Sequence, residues 1–307
     1  MEKRKIDLIC KENFSEMRKK VKIVFILLMS IVALGIILSS LISNSYIEDN
    51  QKNVIEEYKK NVQSIPYETL EKEKEKAKNY NKLLVENTII TTGPFNQETE
   101  EIEDNYGYYN ILNIGKDNVI GYINIPKIDV NLPIYHDTSE EVLKKGVGHL
   151  QNTSFPIGGE GTHSVLLGHT GLPTAKLFTD LDKLEVGNVF YVEVLGEKLA
   201  YEVDQIKVVK PEETSDLLIN PTKDYITLVT CIPYGENTHR LLVRGTRIPY
   251  TEEVENKIKK EQSEKIGSTW IDELLKVVNT CLEILGIILL VVAMVLFFKK
   301  KVRSKRK

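Results

Sequence analysis

Cys231 closes the apolar run Ile226-Thr227-Leu228-Val229-Thr230 and stands directly before Ile232-Pro233-Tyr234-Gly235. A thiol at the end of a β-type run, just ahead of a Pro/Gly turn, projects from a rigid support. Beyond the turn, Thr238-His239-Arg240-Leu241-Leu242-Val243-Arg244-Gly245 reads as the returning strand of a hairpin, with Arg240 and Arg244 on one face and His239 on the other. An arginine there can come alongside Cys231. The thiolate is the reactive form of cysteine, and a free thiol with a pKa of about 8.5 is mostly protonated at neutral pH, so a neighbouring His or Arg is needed to activate it. Of the five histidines, His169 stands out in Leu166-Leu167-Gly168-His169-Thr170-Gly171, where an apolar strand ends in a Gly-flanked turn. His163 would share its strand face at the opposite end, and His136, His149, His163 and His239 read as structural or surface histidines.

The elements that must hold these groups are short β-rich segments with turn punctuation, beginning near Asn118, the pattern of a barrel or sandwich. The predicted strands are 119–125, 130–135, 163–167, 189–194, 198–209, 225–230 and 240–246, with helices at 140–145 and around 174–181. Upstream, 43–90 is rich in Glu, Lys and Asn and reads as a helical stalk whose charge run at 71–78 is a solvated face, with Pro66 ending or kinking a helix near Ile65. Residues 91–117 follow as a turn-prone, acidic, Tyr-rich loop, and 251–276 returns to charged helix formers.

Two apolar runs flank this part. Residues 23–42 carry no charge over 20 positions, enough for a helix of about 30 Å. Residues 277–298 contain Asn279, Thr280 and Glu283 but end in an unbroken apolar stretch that stops at Lys299. Each run abuts a basic end, 1–22 and 299–307. Basic ends face the cytosol, so the expectation is a two-pass membrane protein with both termini cytoplasmic and the folded part outside. The first run is longer than a signal-peptide core and lacks a small-x-small cleavage site, which favours an uncleaved anchor. Cys231 is then the only cysteine of the exported part, Cys10 being cytoplasmic and Cys281 in the second span. It has no disulfide partner and is either an inert buried residue or a nucleophile.

Of 41 Lys/Arg and 44 Asp/Glu, 15 and 4 respectively fall in the two basic ends, leaving 26 basic against 40 acidic residues in 23–298. That net of −14 argues against nucleic-acid binding.

The motif Thr227-Leu228-Val229-Thr230-Cys231 with Arg240 nine residues later, the run Leu166 to Leu184, and Gly146 to Gly159 resemble a sortase, specifically the class C or pilin-polymerising sortases of Gram-positive bacteria. The resemblance covers 118–250 as the catalytic domain, and the upstream lid and second span fit class C as well. It implies a mainly β, eight-stranded barrel and a Cys-His-Arg site. Cys231 would be the nucleophile, His169 the general acid/base, and Arg240 the group that stabilises the substrate carbonyl or oxyanion; Thr230 is a further substrate-binding candidate. The implied reaction cleaves an LPXTG-like sorting signal between Thr and Gly through a thioester and transfers the acyl group to a lysine amine of a pilin subunit. No metal or organic cofactor is implied. The nearer alternatives are a wall-anchoring sortase that uses a peptidoglycan amine and an exported cysteine peptidase that only hydrolyses. One departure concerns the lid. Relatives carry Asp-Pro-aromatic there, whereas this chain has Gly93-Pro94-Phe95, so the acid that would meet Arg240 is missing and a more weakly held lid is expected.

Overall fold

The computed structural model describes residues 46–86, 107–115, 118–172 and 175–260, together with isolated positions near each end. Both apolar runs and Gly93-Pro94-Phe95 lie outside the described residues. Among the described residues no helix is long and apolar enough to cross a membrane.

Eight strands form a closed barrel: β1 (Val119–Ile125), β2 (Val130–His136), β3 (Val147–His149), β4 (Thr162–Leu167), β5 (Val189–Val194), β6 (Glu197–Val209), β7 (Asp224–Ile232) and β8 (His239–Ile248). Their order around the barrel is β1-β2-β3-β4-β7-β8-β6-β5, and β5 closes on β1. The pairs β2/β3 and β4/β7 are parallel and the others antiparallel. A parallel pair needs a crossover, and helix α3 (Glu140–Lys145) supplies the one between β2 and β3.

The interior is filled by one face of each strand. Ile226 and Leu228 of β7, Leu241 and Val243 of β8 and Leu166 of β4 join the main core. The alternating residues Val165, Val229 and Leu242 point to the other side and form a second cluster with Leu150, Val209 and Leu217. The sheet between β4 and β8 is therefore apolar on both faces, which is why these strands read as near-continuous hydrophobic runs.

Three features differ from the sequence reading. β3 was not anticipated, because three residues flanked by Gly146 and the Gln151-Asn152 turn carry too little periodicity to register as a strand. The helix expected around 174–181 is absent among the described residues: Leu177 adopts φ +41°, outside the helical region, and only a short 3₁₀ turn at Leu181–Lys183 forms. The segment 46–86 is not a free stalk. Helix α1 (46–64) ends before Pro66, as the proline predicts, and α2 (Tyr67–Glu86) follows. Ile55, Tyr58 and Val62 of α1 bury against Val119, Tyr122 and Tyr135, and the Tyr58 hydroxyl donates to the Ile120 carbonyl at 3.0 Å. On α2, Asn81 exchanges two hydrogen bonds with the Phe155 backbone at 3.2 and 2.7 Å, and Ala77, Tyr80 and Leu84 enter the main core. The charged residues Lys72, Glu75, Lys76 and Lys78 do face solvent. The sequence shows the charged face; only the barrel provides the apolar surface that the opposite face covers.

Candidate active site

Cys231 is the penultimate residue of β7, inside the strand, and its register partner on β8 is Arg240. Directly paired residues project to the same side of a sheet, so the thiol and the guanidinium emerge together. That side is the outer face, continuous with Val229 and Leu242. The hairpin that joins them turns through Gly235 at φ +78° and Asn237 at φ +56°, and Glu236 N–H and Asn237 N–H both donate to the Pro233 carbonyl at 3.2 and 3.0 Å. Arg240 is buried, with Nη1 donating to the carbonyls of Asn237 at 2.9 Å and His239 at 3.1 Å. These bonds turn the guanidinium back along the loop. Burial pushes the Cys231 thiol up, and the Arg240 charge opposes that shift.

His169 follows β4 by two residues. β4 and β7 run parallel with Leu167 opposite Val229, so continuing the register by two positions brings His169 level with Cys231. Its backbone is clamped on both sides. Gly168 N–H donates to the Val229 carbonyl at 3.0 Å, the Thr230 hydroxyl donates to the Gly168 carbonyl at 2.7 Å, and Phe178 N–H donates to the His169 carbonyl at 3.0 Å. The flanking glycines have steric causes. A Cβ on Gly168 would stand 2.6 Å from the Phe178 ring, and Gly171 combines φ +73° with the Tyr234 ring packed against it. The two glycines of the Gly-His-Thr-Gly run thus each pack against an aromatic side chain, one from the following loop and one from the β7–β8 hairpin.

Thr230, the substrate-binding candidate, makes a structural bond. It is 3% exposed, lies on the opposite face of β7 from Cys231, and its hydroxyl is committed to the Gly168 carbonyl, so it ties the cysteine-bearing strand to the histidine-bearing turn. His149, His163 and His136 are structural, while His239 bonds to the neighbouring Thr238 hydroxyl at 3.0 Å. His149 bonds to the Tyr108 hydroxyl at 2.9 Å and to the Ser154 carbonyl at 2.9 Å; His163 bonds to the Thr227 hydroxyl at 2.7 Å and the Leu218 carbonyl at 3.0 Å. Burial depresses them to about 3 and about 4 respectively. His136 is buried against the carbonyls of Ile111 at 2.7 Å and Asn118 at 3.1 Å. Glu140, which the sequence reading left out, places a carboxylate oxygen 3.3 Å from His169 Nε2. It lies 29 positions upstream, and only the β2-α3-β3 crossover brings it there, so no sequence signal marks it.

A sortase domain model matches residues 123–248. The chain is 42% identical to sortase C1 of GBS Pilus Island 1, over 66% of this chain and 94% of that one, with a TM-score of 0.57. It is 44% identical to sortase C-1 from Streptococcus pneumoniae, over 65% of this chain and all of that one, with a TM-score of 0.59. The chain belongs to the sortase family, class C. Sortase D of Bacillus subtilis (strain 168) is 30% identical over 131 residues, 42% of this chain, and the match spans 63% of that curated relative, a little under two thirds of its length. Sortases are cysteine transpeptidases, and the matched region contains every residue of the site described above.

Proposed function

We propose that this sortase is a membrane-anchored transpeptidase that polymerises pilins. In this reading the Cys231 thiolate attacks the Thr–Gly carbonyl of an LPXTG-like signal, and the Arg240 guanidinium, buried beside it, stabilises the developing oxyanion. His169 gives its proton to the departing glycine amine, leaving a thioester on Cys231. It then takes a proton from the incoming lysine amine as that amine displaces the thiol and forms an isopeptide bond. The observation that carries the reading is the direct β7–β8 pairing of Cys231 with Arg240, with His169 clamped at the same level by β4. The likeness to sortase C1 of a pilus island supports a pilin as the acceptor. The segments 23–42 and 277–298 serve as the two anchors, with both ends cytoplasmic, and Gly93-Pro94-Phe95 as the tip of a lid without its usual acid.

The test incubates the full chain in detergent with an LPXTG-type peptide and a lysine-bearing pilin domain, followed by intact-mass spectrometry. A thioester on Cys231 followed by a ligated product is expected, and Cys231→Ala should abolish both, a loss of at least about 10³-fold in line with removal of a covalent nucleophile. An adduct that resolves only to the free acid would sink transfer in favour of hydrolysis. Ligation to a peptidoglycan-type amine in preference to the pilin lysine would instead indicate wall anchoring.

A further inference from the structure

His169 Nε2 is fully buried and has no hydrogen-bond partner among the described residues, yet the Glu140 carboxylate stands 3.3 Å from it. The contact meets ion-pair distance without hydrogen-bond alignment, the loose geometry that reacting groups show before substrate tightens the site. The Glu140 side chain is 62% exposed, but the helix that carries it is fixed. Ser139 caps α3, its side chain accepting from Val142 N–H at 3.4 Å and its carbonyl from Leu143 N–H at 2.9 Å, and Asp137 accepts from Ser139 N–H at 2.8 Å. Asp137 itself has φ +61°, and its carbonyl and the Thr138 Cα pack so closely on Gly148 that no side chain fits there. The start of α3 is therefore pinned to β3, and Glu140 is presented to His169 from a defined place.

Among the described residues, the ionisable groups on the elements beside His169 include Glu140 and Lys144 on α3, Cys231 on β7 and Arg240 on β8. Lys144 shares the carboxylate at 3.1 Å and, foremost, holds Glu140 below the usual carboxylate range, with His169 adding to the effect. Lys176, on the loop after His169, is bonded to the Ile128 carbonyl at 2.6 Å and paired with Asp180 at 3.3 Å. Glu140 is thus ionised and, among the described residues, is the acid in reach of the ring.

We propose that Glu140 is a positioning residue for His169, holding the Nε2 proton toward α3 so that Nδ1 is the nitrogen that exchanges protons with substrate. Which ring nitrogen carries the proton is set by the partner of the other, and a carboxylate at this distance attracts the positive charge that the ring carries during proton transfer. Lys144 competes for the same carboxylate and tempers it. The inference rests on the reading of His169 as the general acid and base.

The test uses the full chain in detergent and measures acyl-enzyme formation from an LPXTG-type peptide between pH 5 and 9. Glu140→Gln should lower kcat about tenfold with KM within about twofold, and move the acidic limb of the profile to lower pH. Lys144→Met should move that limb the other way. A second readout needs no substrate turnover: iodoacetamide alkylation of Cys231 near pH 7 should slow about threefold in Glu140→Gln, in the direction given by His169→Gln. If the wild type turns over but Glu140→Gln leaves both profiles unchanged, or if both α3 variants shift the limb in the same direction, the positioning role is wrong. If no peptide is turned over while the alkylation difference persists, the proposed function fails and the Glu140–His169 coupling stands.

Discussion

The strands β4, β7 and β8 carry two His/hydroxyl-or-thiol/Arg groups on one face, and they have opposite characters. At one end His163, Thr227 and Arg244 come together; at the other, His169, Cys231 and Arg240. The strand pairing is the same in both, Thr227 with Arg244 and Cys231 with Arg240. At the first end Asp204 of β6 holds Arg244 through two 3.0 Å bonds, Tyr225 stacks 4.2 Å from its guanidinium, and His163 is buried and kept neutral. At the second, the β6 residue opposite Arg240 is Val209. The guanidinium there lies beside a thiol and turns to backbone carbonyls. The β7–β8 pairing is shared; what differs is the neighbouring strand, which supplies the Asp204 carboxylate at the first arginine and an apolar side chain at the second.

The comparison breaks most sharply at the two arginines. Arg240→Gln should lower acyl transfer about 10²–10³-fold, the usual cost of losing one oxyanion-stabilising donor, with little change in melting temperature. It should also move the onset of Cys231 alkylation to still higher pH, because the charge that opposes the burial effect is gone. Arg244→Gln should do the reverse, leaving turnover near wild type while costing about 1–3 kcal/mol of stability for the lost charge-assisted bonds, read by chemical denaturation. Equal kinetic losses in the two variants would erase the distinction.

The next effect is on pH and stability. His163 has a folded value near 4 against an ordinary value near 6.5, so below about pH 6.5 the unfolded chain binds the extra proton and the folded chain does not. Its contribution is fully present above pH 6.5 and is lost as pH falls toward 4, a change of about 3 kcal/mol. His149, near 3, extends the loss to lower pH. Thermal melts of His163→Asn should therefore show a shallower decline between pH 6.5 and 4 than wild type, whatever the change at pH 7. An unchanged slope would remove His163 as its source.

The smallest effect belongs to the tie between the two halves of the site. Thr230→Val keeps shape but leaves the buried Gly168 carbonyl without that donor, which should cost about 1–2 kcal/mol and lower kcat a few-fold with KM unchanged. A change confined to KM would return Thr230 to the role of substrate contact.

Much of this was legible from the chain alone. Cys231 before a Pro/Gly turn, with Arg240 in the returning run, is local information: a hairpin fixes which residues pair, and strand alternation fixes which face they share. Seven of the eight strands stand in the sequence as runs of β-branched and apolar residues with turn residues between them. Gly168 and Gly171 mark His169 as special, although the reasons for them, the Phe178 and Tyr234 rings, do not show in the sequence. What the sequence could not determine depends on packing between distant segments. β3 exists because β2 and β4 supply its partners, α1 and α2 lie on the barrel because Phe155, Ile120 and Leu195 offer backbone groups to Asn81 and Tyr58, and Glu140 reaches His169 through a crossover. Local chemistry paired Cys231 with Arg240, because the two lie within one hairpin. The company kept by the histidine, and the difference between Arg240 and Arg244, arise from strands and helices that meet only when the barrel closes.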